Sequence, residues 1–179
     1  MSTTYLALLR GINVGGKNKL PMKDLSEIFL AAGCDQVRTF IQSGNVIFCS
    51  SRSAARLPAL ITSAIAKRFG YQIPVVLRTA EQMTNVLRNN PFLKAGAKEE
   101  ELHVMFLAGL PNPLRVKELD PDRSPPDRFA VRGQEIYLHL PNGVADSKLT
   151  NSYFDSKLVT SSTGRNWRTV TKLCELMKE

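Results

Sequence analysis

Two short strands, joined by Gln42-Ser43-Gly44-Asn45, restrict this chain more than anything else in it. Residues 37–41 and 46–49 are rich in β-branched and aromatic side chains, and the glycine-containing link between them has hairpin length. Strands joined so closely must pair antiparallel, because a parallel crossover needs a dozen or more residues. A helical pattern flanks the hairpin on each side. Leu25, Ile28, Phe29 and Ala32 follow helical spacing up to Gly33, and Leu57, Leu60, Ile61, Ala64, Ile65 and Phe69 do so up to Gly70. Strands at residues 4–9 and 75–78 complete the order β-α-β-β-α-β, the split βαβ of ferredoxin-like domains.

The second half repeats this order less clearly. Thr79 and Gln82 have capping-box spacing and open a short helix through Met83, Val86 and Leu87. Residues 89–101 are polar and broken by Pro91 and Gly96, which marks a connector. A strand at 102–107 and a short helix at 114–119 come next. Paired strands at 129–132 and 136–140 turn at Gly133-Gln134, and a helix follows at 149–158. Gly164, Arg165 and Asn166 are expected to open a last helix striped by Trp167, Val170, Cys174 and Met177. The expectation is an α/β (α+β) chain in three parts: a βαββαβ unit at 1–79, a short helix and connector at 80–101, and a degenerate βαββ copy with a C-terminal helix at 102–179.

Composition narrows the class. With 179 residues, 43% apolar and 22% charged, the chain can bury a real core and keep a hydrated surface. No apolar run approaches the roughly 20 residues a bilayer crossing needs, and the first residues lack a signal-peptide pattern. Cys34, Cys49 and Cys174 lie far apart, without metal-ligand spacing. These features point to a cytoplasmic protein with reduced thiols, no membrane partner and no metal or organic cofactor. The net charge of +8 is uneven: residues 1–79 hold ten Lys/Arg against three Asp/Glu. Such a field attracts phosphates and nucleic acids.

From Gly11 to Lys17 the chain reads G-x-x-x-x-G-K, the skeleton of a phosphate-binding P-loop. The details do not fit one. Asn18 lacks the hydroxyl that would hold Mg²⁺, and Pro21 starts the helix about four residues beyond the lysine. A weaker role stays open, in which Gly11, Gly15 and Gly16 turn amides inward as an anion nest while Arg10, Asn13, Lys17 and Lys19 supply donors and charge. The alternative is a glycine-rich crossover that only turns the chain.

Strand alternation puts Arg38, Phe40 and Arg78 with Leu6, Leu8 and Val76 on one sheet face. That face reads as a packing or homodimer surface, or as a basic platform for nucleic acid. Arg165 and Asn166 at the last helix start are further anion-binding candidates. In the second half His103, Met105, Tyr137, His139 and Arg132 are expected on one face, where imidazoles can move protons. Three functions remain open. The leading one is a non-enzymatic binding protein for a phosphate-bearing or nucleic-acid ligand. The others are an enzyme acting on a phosphorylated or carboxylated small molecule, and a structural dimerising module.

Four separated stretches, YLALLRGINVGGKNKLPM, RTFIQSGNVIF, NPF and GRNWRTVTKL, occur in this order and span nearly the whole chain. Together they resemble the bacterial domain-of-unknown-function family DUF1697. The resemblance implies ferredoxin-like βαββαβ units with a helical C-terminal extension, and it implies no particular activity.

Overall fold

The computed structural model describes Met1–Glu179, which separate into two compact units: Met1–Met83 with Leu173–Glu179, and Thr84–Lys172. The first unit contains β1 (Thr3–Leu9), α1 (Met22–Ala31), β2 (Asp35–Phe40), β3 (Asn45–Ser50), α2 (Leu57–Phe69) and β4 (Val75–Thr79). Its sheet has the order β2-β3-β1-β4, with every neighbouring pair antiparallel. This is the ferredoxin-like arrangement read from the hairpin.

Alternation along β1 sends Tyr5, Ala7 and Leu9 to the helix side. There they meet Leu25, Ile28 and Phe29 of α1 and Leu57, Ile61 and Ile65 of α2. The Phe29 and Phe48 rings sit 5.0 Å apart at its centre. Arg68 of α2 pairs with Asp24 and Glu27 of α1, tying the two helices on their solvent side. Helix α1 closes with the Cys34 amide donating to the Phe29 carbonyl at 3.1 Å and Gly33 left-handed, a Schellman stop. On the opposite sheet face Leu6, Leu8, Ile47 and Val76 are buried as well.

Helix α3 (Ala80–Arg88) leaves β4 through the predicted capping box. The Gln82 amide donates to Thr79 Oγ1 at 3.2 Å, and the Thr79 amide donates to Gln82 Oε1 at 2.8 Å. After α4 (Pro91–Lys94) and one 3₁₀ turn at Glu99–Glu101, the second unit continues as β5 (Leu102–Leu107), α5 (Pro113–Lys117), β6 (Arg128–Arg132), β7 (Glu135–His139), α6 (Asn151–Leu158) and β8 (Ser162–Asn166). Its order, β6-β7-β5-β8, repeats that of the first unit. Met105, Leu107, Ile136, Leu138, Tyr153 and Phe154 form its core.

Strand β8 extends the βαββ expectation to a full βαββαβ. Residues 162–166 (STGRN) carry no apolar alternation, so the segment read as a helix opening rather than a strand. It is buried because its polar groups are satisfied: Asn151 Nδ2 donates to Ser162 Oγ at 2.8 Å, and Ser162 Oγ donates to Asp155 Oδ1 at 2.6 Å. Helix α7 (Trp167–Leu176) begins only after it. No helix is long and apolar enough to cross a membrane.

Candidate functional site

The loop between β1 and α1 is built around Asn13. Its Nδ2 donates to the carbonyls of Leu20 and Gln42, both at 2.9 Å, and its Oδ1 accepts from the Leu20 amide at 2.8 Å. One side chain therefore closes the glycine loop on itself and stitches it to the β2–β3 turn. At the tip the Lys17 amide donates to the Val14 carbonyl at 3.0 Å, with Gly15 at φ +57° and Gly16 at +72°. Positive φ at both central positions defines a type I′ turn, the hairpin turn that glycine permits. Asn18 Nδ2 adds a bond to the Gly11 carbonyl at 3.0 Å.

The turn accounts for Gly15 and Gly16, and two amides that a nest would present, those of Asn13 and Lys17, are already taken by the carbonyls of Asn18 and Val14. What remains for a ligand is the side chains. Lys17 and Lys19 are exposed and engaged in no ion pair. Beside them Asn13, Lys19, Leu20, Pro21, Met22 and Gln42 line a cleft of about 530 Å³. The start of α1 opens there, with Pro21 at its N-cap and no side chain bonded to its first amides. Gln42 and Met22 were missed from the sequence, because contacts between residues far apart in the chain, the Asn13 bonds among them, bring their segments together. Three non-glycine residues of these joined loops, Asn13, Asn18 and Ile41, take left-handed φ of +53°, +48° and +51°.

The other candidates fall elsewhere. Arg10 is half-buried at the end of β1, its amide donating to the Pro74 carbonyl at 3.1 Å. Arg38 reaches the end of α7, donating to the Leu176 carbonyl at 2.8 Å and to Glu179 Oε2 at 3.1 Å. Arg78 lies opposite Leu6, is 3% exposed and donates to the Leu77 carbonyl. Around Arg78 this face is therefore buried apolar surface about a buried guanidinium, and exposed Arg38 at its margin is held by Glu179 and the Leu176 carbonyl.

Arg165 belongs to β8 and lies before the last helix, while Asn166, the last residue of that strand, stands at the helix opening as expected. Arg165 is 9% exposed and donates to Thr163 Oγ1 at 2.9 Å and to the Gly164 carbonyl at 2.8 Å. Burial pulls its guanidinium down to about 10, still far above neutrality, so it stays charged. Asn166 Oδ1 accepts from the Thr169 amide at 2.8 Å, so this side chain itself caps α7 where an anion was expected.

The expected histidine face also divides. His139 lies opposite Leu102, and His103 lies opposite Leu138. Antiparallel register thus puts even positions of β5 with odd positions of β7. His103 and Met105 face the helices, while Tyr137, His139 and Arg132 point the other way. Burial lowers the His103 value, against a hydrogen bond to the Glu101 backbone, and its Nδ1 has no partner. His139 Nε2 meets Glu101 Oε2 at 2.8 Å. Tyr137 donates its hydroxyl to the Val86 carbonyl at 3.0 Å, and burial raises its phenol well above the usual range.

Comparison with known proteins agrees with this architecture. No curated protein matches the chain. Among solved structures, the conserved bacterial protein SP0830 from Streptococcus pneumoniae is similar with a TM-score of 0.79 and 23% identity over 100% of both chains. At that identity the likeness is one of fold. A family model described as "Protein of unknown function (DUF1697)" matches residues 2–137. That span takes in the glycine loop, the Asn13 stitch and most of both sheets, and the chain belongs to the DUF1697 family.

Proposed function

We propose that this chain is a binding protein that accepts a phosphate-bearing ligand at the cleft between the glycine loop and the β2–β3 turn. The observation that carries this reading is the pair Lys17 and Lys19, exposed and without ion pairs, on a loop whose backbone Asn13 holds in place. A cation on a preorganised loop loses less freedom on binding than one on a floppy segment. The uncapped amides of α1 add donors on the same side. The cleft lining includes no histidine, cysteine or carboxylate. It is equipped to hold an anion and carries no group poised to move a proton near neutrality.

The test is a thermal-shift panel with nucleotides, sugar phosphates, polyphosphate and short RNA, on wild type and on Lys17→Gln/Lys19→Gln. A ligand bound only by the folded state raises the melting temperature. The expected result is a shift with a phosphorylated small molecule that weakens with added salt and disappears in the double variant. A shift with RNA alone would redirect the reading to nucleic acid. No shift from any of them would leave these lysines as ordinary surface charge.

A further inference from the structure

We infer that the second unit carries a ligand site of its own, a cleft of about 510 Å³ suited to a small phosphorylated sugar. Its walls are Asn85 and Asn89 at the end of α3, Lys94 of α4, and Arg132, Glu135 and Tyr137 on the β6–β7 hairpin. Three features of these walls define the ligand.

The first is charge. Lys94 and Arg132 come from different elements, line one cleft, and neither is engaged in an ion pair. Two cations around one small volume repel each other, and an anion between them removes that repulsion. Arginine adds a planar fork that matches two phosphate oxygens at once.

The second is hydrogen bonding. Asn85 and Asn89 are spaced i and i+4, which places both amides on one side of the chain at the helix end. Both side chains are exposed and bonded to nothing else in the protein. An amide offers donors and an acceptor together, the combination that a hydroxyl needs. Glu135 puts a carboxylate on the same lining, which disfavours a ligand that is anionic on every side.

The third is the floor. Tyr137 is 1% exposed, and its hydroxyl is bonded to the Val86 carbonyl, so it fixes the base of the cleft without offering an open ring face. Half-buried Pro91 adds accessible apolar surface there, backed by buried Val86. An apolar floor beneath polar walls suits the C–H face of a sugar ring, with the phosphate toward Lys94 and Arg132.

The experiment is isothermal titration of the whole chain at low salt with glucose monophosphate, adenosine monophosphate, inorganic phosphate and glucose. The expected order places one of the two phosphorylated sugars at least about tenfold above inorganic phosphate and glucose, one extra set of hydrogen bonds being worth that factor. Arg132→Gln and Lys94→Gln should each weaken it about tenfold or more, the loss expected for a charge-assisted bond. Asn85→Ala/Asn89→Ala should erase the preference over inorganic phosphate and leave phosphate binding itself unchanged. Adenosine monophosphate outranking glucose monophosphate would support the site and assign its source as a nucleotide.

Absence of heat from every probe, in protein that melts normally, would overturn the inference. So would equal affinity for inorganic phosphate and both phosphorylated sugars. Binding that survives Arg132→Gln but is lost in Lys17→Gln/Lys19→Gln would assign the ligand to the glycine loop and overturn this site alone. The reverse pattern would support this site even if the loop binds nothing.

Discussion

Gly44 shows how much a single atom decides in the candidate loop. A Cβ there would stand 2.8 Å from Leu9 Cβ and 3.0 Å from Ile12 Cδ1, on a backbone with φ of +84°. Gly44→Ala should cost ~2–3 kcal/mol, read as a lower urea midpoint, since it combines a clash with left-handed strain. Gly15→Ala meets nothing within 4 Å and should cost only the strain, ~1–2 kcal/mol. Equal losses at the two positions would remove the steric argument. Ile41 presents the opposite case. It is β-branched, 51% exposed and left-handed at +51°, so Ile41→Asn should stabilise the protein by up to ~1 kcal/mol. Destabilisation would show that Ile41 makes packing contacts worth more than its strain. The sequence displayed these glycines openly but gave no sign that Asn13 holds the two loops together, because hydrogen bonds to distant carbonyls leave no periodic signature. The thiols follow burial in the same way. Burial raises Cys34 and pushes Cys174 up to about 11, against nearby Arg52 and Lys178 respectively. A thiol-exchange titration of native protein should therefore modify half-buried Cys49 first, and the other two only on unfolding.

Among the elements, the hairpin and both α1 and α2 were legible because apolar period and glycine stops agree on them. The capping box of α3 was legible for the same kind of reason, being a local pattern. The last helix was placed too early. Its stripe was visible, but the preceding five residues are polar and belong to a strand paired with β5, where bonds to Asn151 and Asp155 satisfy the buried Ser162 hydroxyl. The consequence for capping is direct. Asn166 and Thr79 each satisfy a helix amide that would otherwise lack a partner, so Asn166→Ala and Thr79→Ala should each cost ~1 kcal/mol in denaturant titration. Asn166→Asp, which keeps the acceptor, should cost much less. If Asn166→Ala is neutral, the helix start is held by packing of Trp167 alone.

At the scale of the whole molecule, His103 connects burial to pH. Its folded-state value is lowered by desolvation, so the folded protein binds that proton less readily than the unfolded chain does. The stability linked to this residue is fully present above the unfolded value, about 6.5, and is lost as pH falls from there through the lowered folded value. A denaturation midpoint followed against pH should decline over that window, and His103→Gln should flatten the decline. An unchanged slope would mean that other groups govern it. The ferredoxin-like order of the first unit, its core stripes and the lysine-bearing loop were determined by the sequence alone, since period, turn residues and charge are properties of neighbours along the chain. Only the tertiary structure decided that Arg78 and Arg165 are buried, that the two histidines face opposite ways, and that Asn85, Lys94 and Arg132 share one cleft. Those outcomes depend on strand register and on hydrogen bonds between residues far apart in the chain, and a one-residue difference in register moves every side chain of a strand to the other face.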